Sequence, residues 1–273
     1  MQQLYVIGWP IGHSKSPIIH NHWIKKYGLD ANYAQKAIAP QDIAKFISGL
    51  TPQNCWGFNI TIPHKQAVFA NINNRQNLAK ILGATNTISW QDNQLYASNT
   101  DGYGFNTNLS ELSDWSAVDQ PVIIYGAGGA ARAILQSMQD AGAKHLYIYN
   151  RTTARAEKLL ADLKIEANIL NNKAELQACL ATAGLFINTT SLGMNGETEL
   201  DIDLSAMPKT GIVSDIVYTP LQTGLLKQAE LQGLVSVDGL GMLLHQAAKA
   251  FEIWFGILPK VDQQLRDLVL NDS

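Results

Sequence analysis

Cysteine is scarce: Cys55 and Cys179 are the only two in 273 residues. Two thiols that far apart supply neither a disulfide framework nor a metal cluster. There is no H-E-x-x-H motif. His20 and His22, two apart on a predicted helix, point to different sides of it and cannot chelate one ion, so no metal is expected. No apolar run approaches the length that spans a bilayer. The N-terminus passes at once into a strand-like Leu4-Tyr-Val-Ile-Gly8, without a basic leader or cleavage site. Basic residues are not in excess, and the net charge is −3, so nothing electrostatic points to nucleic acid or an anionic membrane. Ser14 and Ser16, the best nucleophile candidates, lack a G-x-S-x-G context. What remains is an expected cytoplasmic globular chain, 46% hydrophobic and 16% charged, long enough for one large or two modest domains.

What the chain has in abundance is alternation of strands and helices. Strands are predicted at Leu4–Gly8, Ala31–Ile38 and Trp56–Ile62, with helices at Pro17–Tyr27 and Pro40–Leu50 between them. Helical stretches at Pro63–Asn71 and Gln76–Leu82 lead to a hairpin of Asn86–Trp90 and Leu95–Ser98, turning at Asp92-Asn93. This βαβ spacing implies a mostly parallel sheet of its own. A second sheet begins afresh at Val122, with strands near His145, Ala167, Leu185, Ile212 and Leu234. Gly102–Leu112 is the expected connecting helix. Two last helices, from Asp238 to about Phe255 and from Pro259 to about Leu270, have no strand after them and are expected to return to the first domain. The predicted division is residues 1–101 plus 239–273 against residues 102–238.

The second domain opens on Val122-Ile-Ile-Tyr-Gly-Ala-Gly-Gly-Ala-Ala131. A short β-branched run, a glycine turn and a helical recurrence of Ile134, Leu135 and Met138 match the dinucleotide fingerprint G-x-G-x-x-A. Gly126 permits the tight turn and Gly128 the approach of a pyrophosphate. The free N–H groups and positive end of the helix then hold the anion. About 20 residues on, where an NAD-binding protein carries Asp or Glu, this chain has Asn150-Arg151-Thr152, with Arg155 in the next helix. Cations there oppose the helix dipole, and a 2′-phosphate would offset them. NADP is therefore expected rather than NAD.

In the first domain, Trp56-Gly-Phe-Asn-Ile-Thr-Ile-Pro-His-Lys65 is the most informative stretch. Alternation places Trp56, Phe58, Ile60 and Ile62 on one face and Asn59 and Thr61 on the other, leading to Lys65. Polar groups at a strand's C-terminal end stand where open α/β sheets bind ligands; by itself, though, a lysine is more often a solvated surface residue. Asp101 is a carboxylate at the join of the domains, equally suited to capping the following helix. A lysine and an aspartate in one cleft would suit proton transfer at a hydroxyl. Ser14 and Ser16 offer hydroxyls that could bind a ligand or cap the next helix. Gln246 lies on an apolar stripe with Leu243, Ala247, Ala250 and Trp254, where a buried amide needs a ligand or a backbone partner.

Taken in order, His13-Ser-Lys-Ser-Pro17, Asn59-Ile-Thr-Ile-Pro-His-Lys65, Gly83-Ala-Thr-Asn-Thr87, Asn99-Thr-Asp-Gly102, Gly126-Ala-Gly-Gly-Ala130, Asn150-Arg-Thr152 and Asp238-Gly-Leu-Gly-Met-Leu243 resemble shikimate dehydrogenase over nearly the entire length. The resemblance implies an α/β chain with an N-terminal substrate domain, a Rossmann-like NADP domain and a cleft between them. It implies an enzyme that reversibly reduces 3-dehydroshikimate to shikimate with NADPH, on the route to aromatic amino acids, as a monomer or homodimer. Lys65 and Asp101 would be the catalytic pair. Ser14, Ser16, Asn59, Thr61, Lys65, Asn86, Asp101, Tyr218 and Gln246 would hold substrate. Gly126, Ala127, Gly128, Gly129, Ala130, Asn150, Arg151, Thr152, Arg155, Ile216 and Gly239 would contact NADP. The chain departs from the usual pattern at Trp9, where Asn or Asp is commoner, at His64, where Tyr or Phe is more usual, and at Gly224, often proline. Two alternatives stand beside this one: a dehydrogenase that also takes quinate or a related polyol acid, and an NADP-binding regulatory protein without catalysis. If substrate and cofactor sit in different domains, closure is expected about hinges near Asp101–Gly102 and Asp238–Gly241.

Overall fold

The computed structural model describes residues 1–116, 119–195 and 198–271. The chain forms two compact units, Met1–Gly104 with Leu244–Ser273, and Phe105–Leu243. The division points thus fall three and five residues beyond the predicted 101 and 239, each inside a helix.

The first unit runs β1 (Gln2–Gly8), α1 (Ser16–Lys26), β2 (Ala31–Ala37), a 3-10 turn at Pro40–Asp42, α2 (Ile43–Ser48), β3 (Gly57–Ile60), α3 (Lys65–Ala70), β4 (Asn74–Arg75), α4 (Asn77–Leu82), β5 (Thr87–Gln91) and β6 (Gln94–Ser98). Its sheet has the order β2-β1-β3-β5-β6-β4. β1 pairs in parallel with β2 and β3, and β4 with β6, whereas β5 is antiparallel to both β3 and β6. The hairpin turn is where the Asp-Asn pair predicts it, because both residues accept the left-handed conformation (φ 49° and 58°) that a two-residue turn requires.

Three local expectations need correction. β3 stops at Ile60 rather than Ile62, because Thr61–His64 closes a turn in which the His64 N–H donates to the Thr61 carbonyl at 3.0 Å. Ile62 therefore leaves the apolar face and is 75% exposed. Trp56, also outside the strand, is only half-buried. The long predicted helix at Pro40–Leu50 is split into the 3-10 turn and α2. The two-residue β4 has too short a pattern to announce itself in sequence.

After α5 (Asp101–Leu112), the second unit runs β7 (Val122–Tyr125), α6 (Gly129–Asp140), β8 (Leu146–Tyr149), α7 (Thr153–Leu163), β9 (Asn168–Leu170), α8 (Lys173–Leu180), β10 (Leu185–Asn188), β11 (Ile212–Asp215), α9 (Gly224–Leu231) and β12 (Val235–Val237). Every strand pairing is parallel, in the order β12-β11-β10-β7-β8-β9. This is the doubly wound arrangement, and its switch point lies between β7 and β10. Ile134, Leu135 and Met138 of α6 are fully buried, as their spacing predicts.

The chain ends with α10 (Leu240–Phe255) and α11 (Gln263–Asn271). Pro259 does not begin the last helix. The Asp262 carboxylate accepts the Leu265 N–H at 3.0 Å and caps it there, four residues later than proline alone suggests. Among the described residues, no helix is long and apolar enough to cross a membrane.

Candidate active site

Topology brings the first unit's candidate residues to one sheet edge. β1 and β3 run in parallel, so the loops that follow them, carrying Ser14 and Thr61, leave on the same side. β5 is antiparallel to β3 and begins on that side with Asn86 just before it. β6 returns antiparallel to β5 and ends there, delivering Asn99, Thr100 and Asp101. The antiparallel pair thus adds residues to the carboxyl edge that a purely parallel sheet would send elsewhere.

At that edge Lys65, first residue of α3, places Nζ 2.5 Å from Asp101 Oδ2. The two side chains are 20% and 7% exposed, which excludes the reading of Lys65 as a solvated surface lysine. Asp101 is the first residue of α5 rather than its cap: its N–H donates to Asn99 Oδ1 at 3.0 Å, and its carboxylate is taken up by side-chain partners. Its Oδ1 accepts from Asn86 Nδ2 at 2.8 Å. The same amide reaches Thr100 Oγ1 at 2.9 Å and Gln246 Oε1 at 3.2 Å. The Thr100 hydroxyl donates to the Gln246 carbonyl at 3.0 Å, so Gln246 is joined to this cluster through both its amide and its backbone.

Asn59 is 5% exposed. Its Nδ2 donates to the Asn86 carbonyl and the Thr87 hydroxyl at 3.0 and 3.1 Å, and its Oδ1 accepts from the Tyr33 hydroxyl at 2.7 Å. Ser16 is buried at the start of α1, and its N–H donates to Ser14 Oγ at 3.3 Å. Ser14 thus serves the helix start while remaining half-exposed. Thr61, likewise half-exposed, sits in the turn before Lys65. His64 is buried there, with Nε2 2.7 Å from the Ile38 carbonyl. A titratable pair beside hydroxyls and amides can bind a polyol and move a proton to or from one of its oxygens.

In the second unit the ends of β7, β8 and β11 bring the other set together. Gly126 has φ 114°, and a Cβ there would meet Thr189 Oγ1 at 2.6 Å, so only glycine fits the turn. A Cβ on Gly128 or Gly129 would meet nothing within 4 Å: the backbone there faces open space at the start of α6, whose N-terminus has no side-chain cap. Uncapped N–H groups beside an open glycine backbone fit a pyrophosphate. Ala127 and Ala130 flank them, both half-buried. The Asn150 Nδ2 donates to the Thr152 carbonyl at 2.8 Å and shapes the turn into α7. Arg151 and Arg155 are exposed there, and neither is ion-paired among the described residues. They suit a phosphate group. Gly239 is held against Ile216, because a Cβ at Gly239 would stand 2.3 Å from the Ile216 carbonyl oxygen. Tyr218, two residues beyond Ile216, also belongs to this unit, and burial raises its pKa.

The chain is 46% identical over 272 residues to a Sinorhizobium fredii protein named shikimate dehydrogenase (NADP(+)), covering 98% of this chain and 94% of that one. The chain belongs to the shikimate dehydrogenase family. Family models match in three parts: the shikimate dehydrogenase substrate binding domain at residues 6–88, shikimate / quinate 5-dehydrogenase at 109–195, and the shikimate 5′-dehydrogenase C-terminal domain at 239–263. Among solved structures, the fold resembles the Listeria monocytogenes shikimate 5-dehydrogenase in complex with shikimate and NAD, at 33% identity and a TM-score of 0.90, covering 98% and 96% of the two chains. It also resembles the Corynebacterium glutamicum quinate dehydrogenase in complex with NAD, at 28% identity and a TM-score of 0.90, covering 98% of each.

Sequence reasoning missed Tyr33, Thr87 and Thr100, which complete this chain's polar cluster. A tyrosine or threonine within or beside a strand gives no sign of whether its hydroxyl meets a functional amide. It also missed Asp215, which is 1% exposed at the end of β11. Its carboxylate accepts from Asn188 Nδ2 at 2.9 Å, the Val217 N–H at 3.0 Å and the Thr223 hydroxyl at 2.7 Å. Burial raises its pKa, and these three donors act against the rise. The triple contact shapes the loop carrying Ile216 and Tyr218.

Proposed function

We propose that this protein is an NADP-dependent shikimate dehydrogenase, reducing 3-dehydroshikimate reversibly to shikimate in the biosynthesis of aromatic amino acids. The observation that carries the reading is the Lys65–Asp101 contact at 2.5 Å, set among amides and hydroxyls in a member of this family. NADP supplies hydride chemistry when bound. Gly126 to Ala130, Asn150, Arg151, Thr152, Arg155, Ile216 and Gly239 are the residues that would hold it. Ser14, Ser16, Asn59, Thr61, Asn86, Tyr218 and Gln246 bind and orient the substrate's hydroxyls and carboxylate. Lys65 handles the proton at the C3 oxygen. As an ammonium it protonates the oxygen in reduction; as an amine it takes the proton back in oxidation. Asp101 holds Lys65 in place and accepts a substrate hydroxyl.

The intact Lys65–Asp101 pair argues against a silent regulatory protein. Quinate is the nearer competitor, since an added hydroxyl is discriminated by pocket shape. The test is NADPH formation by the purified protein with shikimate and with quinate. A kcat/KM for shikimate well above that for quinate is expected, and the reverse ranking would sink the reading. The same reading has the enzyme acting in the cytoplasm as a monomer or homodimer.

Cofactor choice carries a separate expectation. Arg151→Ala should raise KM for NADP by roughly 10- to 100-fold, the worth of a charge-assisted guanidinium–phosphate contact, and barely alter KM for NAD. Equal use of the two cofactors by the parent protein would count against it.

A further inference from the structure

We propose that Tyr33, a residue of β2 outside the predicted site, is a positioning residue for catalysis: its hydroxyl sets the orientation of the Asn59 amide and, through Thr87 and Asn86, presents an N–H donor to Asp101. The proposal rests on the assignment of Asn59, Asn86 and Asp101 to the active site.

Tyr33 is unusually fixed for a residue of an edge strand. Its backbone N–H donates to Asn21 Oδ1 at 3.0 Å and its carbonyl accepts from Asn21 Nδ2 at 2.8 Å, so one side chain of α1 holds both. Its ring stacks on His20, with centroids 4.2 Å apart and planes 17° from parallel, and packs beside Trp254 at 6.0 Å. Only 2% of the residue is exposed. The hydroxyl therefore has little freedom, and its proton goes to Asn59 Oδ1 at 2.7 Å. A hydrogen bond from Ser16 works on the hydroxyl in the opposite sense to burial, so the same group also touches the start of α1.

That proton and the Thr100 N–H together set the direction of the later bonds, because every member is buried and each donor needs an acceptor. With Oδ1 occupied, Asn59 turns Nδ2 to the Asn86 carbonyl and to Thr87 Oγ1. Thr87, fully buried and accepting that N–H, turns its own proton to Asn86 Oδ1 at 2.9 Å. Asn86 Oδ1 also takes the Thr100 N–H at 2.9 Å. Asn86 Nδ2 is then left facing Asp101 Oδ1 at 2.8 Å, opposite the oxygen that holds Lys65. A reversed Asn86 amide would set an oxygen against the Asp101 carboxylate, displacing or reorienting the carboxylate on which Lys65 depends. The chain of donors thus runs from an edge strand to the reacting pair without a break.

Tyr33→Phe keeps the ring stack and removes the hydroxyl, and with it both the proton given to Asn59 and the oxygen that Ser16 meets. It should lower kcat/KM for shikimate by about 5- to 30-fold, the effect of leaving one buried acceptor unpaired, while KM for NADP stays unchanged. Thr87→Val cuts the same chain further along and should give a loss of the same order, with Thr87→Ser restoring activity. In the double variant Tyr33→Phe/Thr87→Val the losses should not add, because both changes break one path. A loss below twofold in Tyr33→Phe, or fully additive losses, overturns the proposal. The side-chain amide NMR signals of Asn59 and Asn86 test the path without substrate: both should shift in Tyr33→Phe, and an unmoved Asn86 signal overturns it. If the parent protein failed to oxidise shikimate, the functional reading would fall, while the NMR result would still decide the hydrogen-bond path.

Discussion

Lys65→Ala is expected to lower kcat for shikimate oxidation by about 10²–10⁴-fold, the usual contribution of a positioned acid or base, with little change in KM for shikimate. Oxidising an alcohol removes a proton from oxygen as hydride leaves carbon, and reduction returns it. In the first unit, Lys65 and Asp101 are the titratable pair at the polar sheet edge, and Asp101 is already engaged by Asn86 and Lys65. Lys65 retains a side chain that is 20% exposed, so a substrate oxygen can reach it. Its ammonium would also stabilise a developing alkoxide. Removing it further leaves a carboxylate that is 7% exposed without its counter-ion, so a drop in thermal stability should accompany the loss of rate. Asp101→Asn should lower kcat as well and raise KM, since in the proposed reading this carboxylate also accepts a substrate hydroxyl. The check is a steady-state comparison of the variants at saturating cofactor. If Lys65→Ala raised KM alone, Lys65 would be a binding residue, and the proton carrier would have to lie elsewhere.

Acid should destabilise the fold through His20, by on the order of 4–5 kcal/mol between about pH 6.5 and pH 3. His20 is 1% exposed, and neither ring nitrogen makes a hydrogen bond of normal geometry among the described residues. Tyr33, Trp23, Phe251 and Trp254 pack around the ring, and none of them can stabilise a buried imidazolium by charge. Burial lowers the pKa to about 3, and the polar side chain of Asn59 opposes this weakly. The unfolded chain, with an ordinary histidine pKa near 6.5, therefore binds a proton that the folded chain refuses. Stability is fully present above pH 6.5, falls as pH drops, and the loss is complete below pH 3. Denaturant unfolding at stepped pH should show this slope, and His20→Phe should flatten it by a similar amount. An unchanged slope in that variant would mean that other groups carry the acid sensitivity. Because His20 stacks on Tyr33, activity should decline in the same pH range as the first unit loosens.

The alternation of apolar runs with helical spacing, the glycine fingerprint and the Asp-Asn turn are local signals. They made the doubly wound second unit, the hairpin and the glycine turn before α6 legible from the chain alone. Asn59, Lys65 and Asp101 were legible as candidates, with a surface lysine and a helix cap as the competing readings of the last two, because a polar group at a strand's C-terminal end stands out against its apolar neighbours. Element ends were less legible. Nothing in the run Asn59-Ile-Thr-Ile says that the strand stops at Ile60, because the stop comes from a turn hydrogen bond between His64 and Thr61. Nor does Pro259 show that Asp262 will cap the last helix.

Only tertiary structure decided the competition between roles. Asp101 could have capped its helix, and its carboxylate met Lys65 and Asn86 instead. Gln246 could have met any backbone group, and it met Asn86 and Thr100 from a helix some 146 to 160 residues away in sequence. Tyr33, Thr87 and Asp215 read as ordinary strand residues until their partners were in place. Sequence periodicity determines which elements form and which faces are buried, because those depend on near neighbours in the chain. The direction of a hydrogen bond between side chains depends on which strands lie adjacent and in which sense they run. In this protein the antiparallel return of β5 and β6 set Asn86, Thr87 and Asp101 beside Asn59 and Lys65.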